Sequence, residues 1–100
     1  MELVKTGMSG TMESSDINIM IGPSDAGTIE IDLQSSVEKQ FGKQIRKTIE
    51  DTVKKHGITS ANIKAVDKGA IDYVIIARTE TAIFRAADRT DYIWECDKDA

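Results

Sequence analysis

The chain has 100 residues and a net charge of −4, with 40% hydrophobic and 30% charged side chains. That length suits one small domain, and that balance excludes an intrinsically disordered chain. No apolar run approaches the roughly 20 residues of a membrane span, and Met1-Glu2-Leu3-Val4-Lys5 has neither the basic start nor the apolar core of a signal peptide.

Residues 1–15 are polar and read as a flexible N-terminal segment, with disorder expected through Gly7–Ser15 for want of apolar anchors. The segment ends in Gly10-Thr11-Met12-Glu13-Ser14-Ser15-Asp16, a serine-bearing turn. It lies in the most acidic third of the chain, where six acids face Lys5 alone. Such a surface argues against nucleic-acid binding and suits basic partner surfaces.

Ile17, Ile19 and Ile21 alternate with Asn18 and Met20, the period of a half-buried strand. Gly22-Pro23-Ser24-Asp25-Ala26-Gly27 is dense in turn residues. Thr28–Leu33 alternates again, with Ile29, Ile31 and Leu33 inward, and a hairpin is the simplest link between the two strands. Ser35 with Glu38 offers a capping box for a helix that Gly57 closes. Val37, Phe41, Ile45, Thr48, Ile49, Thr52 and Val53 form its inner face, while Lys39, Lys43, Arg46, Lys47 and Lys54 form its outer one. Gly42 inside this pattern costs about 1 kcal/mol relative to alanine, which a close approach to the sheet would justify.

Asn62–Val66 reads as a third, weaker strand, followed by a tight turn at Asp67-Lys68-Gly69-Ala70. Asp72–Arg78, apolar on both faces through Tyr73–Ala77, reads as the central strand. A second helix is expected from Glu80 to Asp88, packed through Ala82, Ile83, Ala86 and Ala87. Residues 91–100 form an acidic tail in which Trp94 serves either to anchor the tail or to insert into a partner. The sum is an α+β fold: a small single-domain two-layer sandwich in the order β-β-α-β-β-α. Its sheet is mainly antiparallel, with both helices packed on one face.

Little in this chain supports catalysis of its own. One histidine and one cysteine leave no plausible zinc site. A lone cysteine makes no internal disulfide and fits a reducing cytoplasm. Cys96 sits between Glu95 and Asp97, which disfavour its thiolate. His56 falls in the last turn of the first helix, where a capping or dipole role suffices. A serine in a polar turn, with no base beside it, is ordinarily a turn residue.

The Gly10–Asp16 heptapeptide nevertheless resembles the attachment segment of the citrate lyase acyl carrier (gamma) family. Ser35-Ser36-Val37-Glu38-Lys39-Gln40-Phe41-Gly42 is similar to the opening of that family's first helix. Asp67-Lys68-Gly69-Ala70-Ile71-Asp72 is similar to its second turn, and Ala77-Arg78, Arg85-Ala86-Ala87 and Trp94-Glu95 also have counterparts. The resemblance runs from about Gly10 to near the end of the chain, and it is the order of several matches that makes it specific. The Asp-Ser-Leu motif of the common helical acyl carriers is absent, so a different prosthetic group and transferase are implied.

The resemblance implies a carrier without catalytic or metal residues of its own. Its attachment serine is Ser14, with Ser15 as second choice, esterified to 2'-(5''-phosphoribosyl)-3'-dephospho-CoA. The implied partners are the alpha subunit (acyl transferase), the beta subunit (citryl lyase), a prosthetic-group transferase and an acetate-dependent activating ligase. Together they cleave citrate to oxaloacetate and acetate through acetyl and citryl thioesters. Neither nucleic acid nor membrane is implied. Glu13 and Asp16 repel a phosphodiester and are read as orienting the substrate in the transferase. The alternatives are the carrier of malonate decarboxylase, with the same prosthetic group, and an interaction domain with none.

Overall fold

The computed structural model describes residues 1–88, so the tail with Trp94 and Cys96 lies outside the described residues. The order is β1 (Gly7–Ser9), β2 (Ile17–Gly22), β3 (Ile29–Ser35), α1 (Glu38–Lys55), β4 (Ala61–Asp67) and α2 (Asp72–Ala86). The strands form one sheet in the order β1-β2-β4-β3. Its β1–β2 and β2–β4 pairs are antiparallel, and its β3–β4 pair is parallel. Alternation sorts the sheet into two faces: Ile17, Ile19, Ile21, Ile63 and Ala65 turn inward, while Met20 and Lys64 remain outside. Both helices cover the inner face and add Ile45, Ile49, Val53, Ile75 and Ile83 to one core. Each buried isoleucine contributes roughly 1.5–3 kcal/mol. The α+β two-layer arrangement is as expected from the sequence, but its element order is β-β-β-α-β-α.

Asp72–Arg78 is the first half of α2, not a strand. An apolar run of this length fits a buried strand or a buried helical turn equally well. Its continuation decides the matter: Ile75, Thr79, Ala82, Ile83 and Ala86 are buried at helical spacing, whereas Tyr73 and Ile76 point outward. Before it, the Asp67 carboxylate accepts the N–H groups of Gly69 at 3.1 Å and Ala70 at 3.0 Å, turning the chain into the helix.

The expected hairpin is also absent, because β4 lies between β2 and β3. The link from Gly22 to Ile29 therefore crosses the width of a strand. Ser60 pins it there: its hydroxyl donates to the Ser24 carbonyl at 2.6 Å and accepts the Gly27 N–H at 3.2 Å. The weak-looking strand around Asn62–Val66 is thus a central one, paired on both sides.

The first helix begins at Glu38, because Ser35 closes β3 instead of capping the helix. The Ser35 hydroxyl donates to Asp67 Oδ2 at 2.8 Å and accepts the Val37 N–H at 3.1 Å. Phe41, expected inside, is 48% exposed. Gly42 is buried, but a Cβ there would meet the Glu38 side chain and not the sheet. Gly57 does close the helix: its N–H bonds the Lys54 carbonyl at 2.9 Å, and that of buried Ile58 reaches the Val53 carbonyl at 3.4 Å, a Schellman pair.

β1 was not anticipated. It lies flush against α2, since a Cβ on Gly7 would overlap the Ala82 carbonyl and the Ala86 nitrogen. The preceding Val4 and Lys5 N–H groups bond the Ala86 carbonyl at 2.9 and 3.0 Å, completing the end of α2. Arginines guard both sheet edges: Arg85 donates to the Met8 carbonyl at 2.7 Å and Arg46 to the Ile31 carbonyl at 3.0 Å. Ser9 is the discordant residue. It is 3% exposed, and its hydroxyl has no hydrogen-bond partner among the described residues. Ser9→Ala is expected to stabilise the fold by about 1 kcal/mol, seen as a higher urea midpoint at unchanged m-value.

Candidate functional site

The segment from Gly10 to Ile17 closes on itself as a loop, and each level of it has a distinct fastening. At the neck, Gly10 has φ +94°, and a Cβ there would run into the Ile17 carbonyl. Only glycine allows that approach. The Gly10 carbonyl also accepts Asn18 Nδ2 at 3.1 Å. At the waist sits the Asp16 carboxylate, 9% exposed. It accepts the Thr11 N–H at 3.1 Å, the Thr11 hydroxyl at 2.6 Å and the Ile17 N–H at 2.7 Å. Arg78 of α2 completes it with a bidentate pair, Nε to Oδ1 at 3.0 Å and Nη2 to Oδ2 at 2.9 Å.

At the tip, the Asp16 N–H bonds the Glu13 carbonyl at 3.2 Å, enclosing Ser14 and Ser15 in a four-residue turn. Ser15 has φ +66° while Ser14 does not enter the left-handed region, the pattern of a type II turn with Ser14 at its second position. The Ser15 N–H donates to the Lys68 carbonyl at 2.8 Å, and the Lys68 N–H returns a bond to the Asp16 carbonyl at 2.9 Å. Both serines are exposed. Among the described residues nothing hydrogen-bonds the Ser14 hydroxyl. The tip therefore offers an accessible hydroxyl on a backbone anchored from three sides.

The two acids flanking the serines have separate fates. Glu13 is exposed, whereas Asp16 is turned inward and filled by five donors, so its carboxylate belongs to the loop and not to a visiting enzyme. His56 makes its contacts elsewhere: Nε2 lies 2.8 Å from Glu80 Oε2, and the ring meets Phe84 edge-on. Lys68 and Arg78 are the residues that sequence reasoning passed over as parts of the site. Arg78 is 62 positions from Asp16, and with Asp72–Arg78 read as a strand nothing aimed it at the turn.

The Arg78 guanidinium holds the Asp16 carboxyl well below the usual carboxylate range. Burial pushes the other way but is outweighed by Arg78 together with the Thr11 and Ile17 donors. A depressed value means that ionised Asp16 stabilises the fold fully above its unfolded pKa of about 3.9. That contribution is lost as pH falls through the folded value. Melting curves of the native chain and Asp16→Asn should therefore keep a constant gap from pH 7 to about pH 4 and converge below it.

Comparison with known proteins places the chain in a family. Residues 4–86 match the family model "Malonate decarboxylase delta subunit (MdcD)". The chain is 50% identical to the citrate lyase acyl carrier protein of Fusobacterium nucleatum over 92 residues, covering 92% of this chain and 98% of that one. It is 54% identical to that of Oenococcus oeni over 96 residues, covering 95% and 98%. Its fold is similar to a chain in the crystal structure of a Pseudomonas malonate decarboxylase hetero-tetramer in complex with malonate. The TM-score is 0.71 at 21% identity, over 82% of this chain and 84% of that one.

Proposed function

Because this chain belongs to the citrate lyase acyl carrier protein family, we propose that it carries acetyl and citryl groups on a phosphoribosyl-dephospho-CoA arm esterified to Ser14. The observation that carries this reading is identity of 50–54% over 92–95% of the chain. The local geometry suits a covalently attached group, which needs an accessible hydroxyl on a fixed backbone and no cradle of its own. When attached, the arm supplies a thiol whose thioester makes the acyl carbonyl more electrophilic and its α-carbon more acidic.

The chain's residues have the task of presentation. The Asp16–Arg78 pair and the Ser15–Lys68 bond fix the turn, so that Ser14 stands clear of the sheet for the transferase. Exposed Glu13 is the acid left to contact that enzyme. Tethering then turns transfer between two active sites into an intramolecular event at roughly millimolar effective concentration. The active sites belong to an acyl-transferring and a citryl-cleaving subunit, with the complex in the cytoplasm. No helix among the described residues is long and apolar enough to cross a membrane.

The test is the intact mass of the chain isolated from a citrate-fermenting host. One adduct of the phosphoribosyl-dephospho-CoA mass, mapped to the peptide holding Ser14, is the expected result, and an unmodified chain would overturn it. The malonate decarboxylase alternative draws on the family model and the structural neighbour. Supplying partner subunits with citrate or with malonate separates the two, and turnover of citrate alone is expected.

A further inference from the structure

Beyond Lys68, whose carbonyl holds the serine turn, the chain runs directly into the rim of a groove at Gly69 and Ala70. The groove lies between the first turns of α1 and α2, has a volume of about 560 Å³, and is lined by Val37, Phe41, Ile45, Ile71 and Tyr73. We propose that it binds the pantetheine-type arm carried on Ser14, folded back on its own carrier whenever no partner subunit engages it. The inference rests on the attachment reading above.

Four observations favour this occupant. First, the groove's apolar lining is left uncovered: Tyr73 is 79%, Ile71 68% and Phe41 48% exposed. Large apolar side chains grouped in this way on a small domain mark a binding surface. Second, the volume falls within the roughly 300–1,000 Å³ typical of small-molecule sites. Third, the polar groups match an amide-bearing arm with a phosphodiester at its root. Gln44 donates to Asp72 at 3.0 Å, which leaves its Oε1 as an acceptor for an amide N–H. Lys68 is exposed and makes no ion pair among the described residues, so its charge is available at the root of the arm.

The fourth observation is proximity. The two backbone bonds between the turn and Lys68, at 2.8 and 2.9 Å, fix the attachment point against the groove's rim. A tethered arm has an effective concentration of roughly 1 mM, so an intrinsic Kd of about 1 mM fills the groove half of the time. Such weak binding suits a carrier, since a partner's active site must be able to draw the arm out. The open face of the sheet, where Met8, Met20, Lys64 and Asp32 lie in one row, instead sets two methionines beside a pair of opposite charges.

The experiment compares amide spectra of the bare and fully loaded chain, with loading verified by intact mass and peptide mapping. Expected are shift changes at two places, the Gly10–Ile17 loop and the groove residues Phe41, Ile71 and Tyr73. A doubly substituted chain, Ile71→Ser with Tyr73→Ser, should still load but lose the response at Phe41, and since both side chains are exposed its fold should persist. Changes confined to the loop and Lys68 would overturn the inference. A groove silent in the loaded chain that responds only to added partner subunits would also overturn it, and would mark a subunit-docking surface instead. A chain that never acquires the adduct overturns the attachment reading, and this inference with it.

Discussion

Ser14→Ala is expected to give a folded chain that accepts no adduct at all and supports no citrate turnover when mixed with its partner subunits. Ser14 occupies the second position of the turn, is exposed and has no hydrogen bond to lose among the described residues. Alanine should therefore cost little stability, within about 0.5 kcal/mol. The informative comparison is Ser15, and the structure dictates how to make it. Ser15 has φ +66°, where any Cβ costs about 1 kcal/mol, so alanine would keep the strain that serine already bears. Ser15→Gly removes the hydroxyl without that strain and retains the N–H that bonds Lys68. Intact mass should show full loading of Ser15→Gly and none of Ser14→Ala. The opposite pattern would move the attachment to Ser15.

The second large effect is on stability. Asp16→Ala is expected to cost about 2–4 kcal/mol, because five donors lose one acceptor and the Arg78 charge loses its partner. The Arg78 side chain is 39% exposed, so water recovers part of its solvation and sets the figure about 1 kcal/mol lower than the range for fully buried pairs. Arg78→Ala should cost less than Asp16→Ala, since the Thr11 and Ile17 donors keep their acceptor. Urea titration of both variants and the double variant gives a coupling energy. A value near zero would show that Arg78 does not hold the loop. Loading by the transferase should slow in both single variants, since the turn presenting Ser14 loses its anchor on α2.

Much of this was legible from local pattern. Alternation marked Ile17–Ile21 and Thr28–Leu33, and the isoleucine spacing with Gly57 marked most of α1, because these signals depend on neighbours within one turn or one pleat. The misreadings share a cause: each was decided by residues distant in sequence. Tyr73–Ala77 carries β-favouring side chains, yet packing under Ile75, Thr79 and Ile83 made it helical. Ser35 looked like a cap, but buried Asp67 claims its hydroxyl from 32 positions away. The serine turn stood out only through family likeness. Its supports, Lys68 and Arg78, carry no mark in the local sequence that aims them at residue 14.

The placement of β4 between β2 and β3 has a kinetic consequence. β2 and β3 never touch as a pair; each finds its mate in Ala61–Asp67, and the register joins Ile17 to Asp67 and Ile29 to Ala61. A ribosome that has released only the first 55 residues has therefore produced three strands and a helix, in which β3 has no partner and β2 has only the short β1. The loop around Ser14 waits longer still, since its last clamp arrives with Arg78. Such distant pairings slow folding relative to a hairpin-first topology. Under the proposed attachment they also impose an order on maturation: the chain must be nearly complete before it has a shaped serine, so truncated chains ending before Arg78 are expected to load poorly.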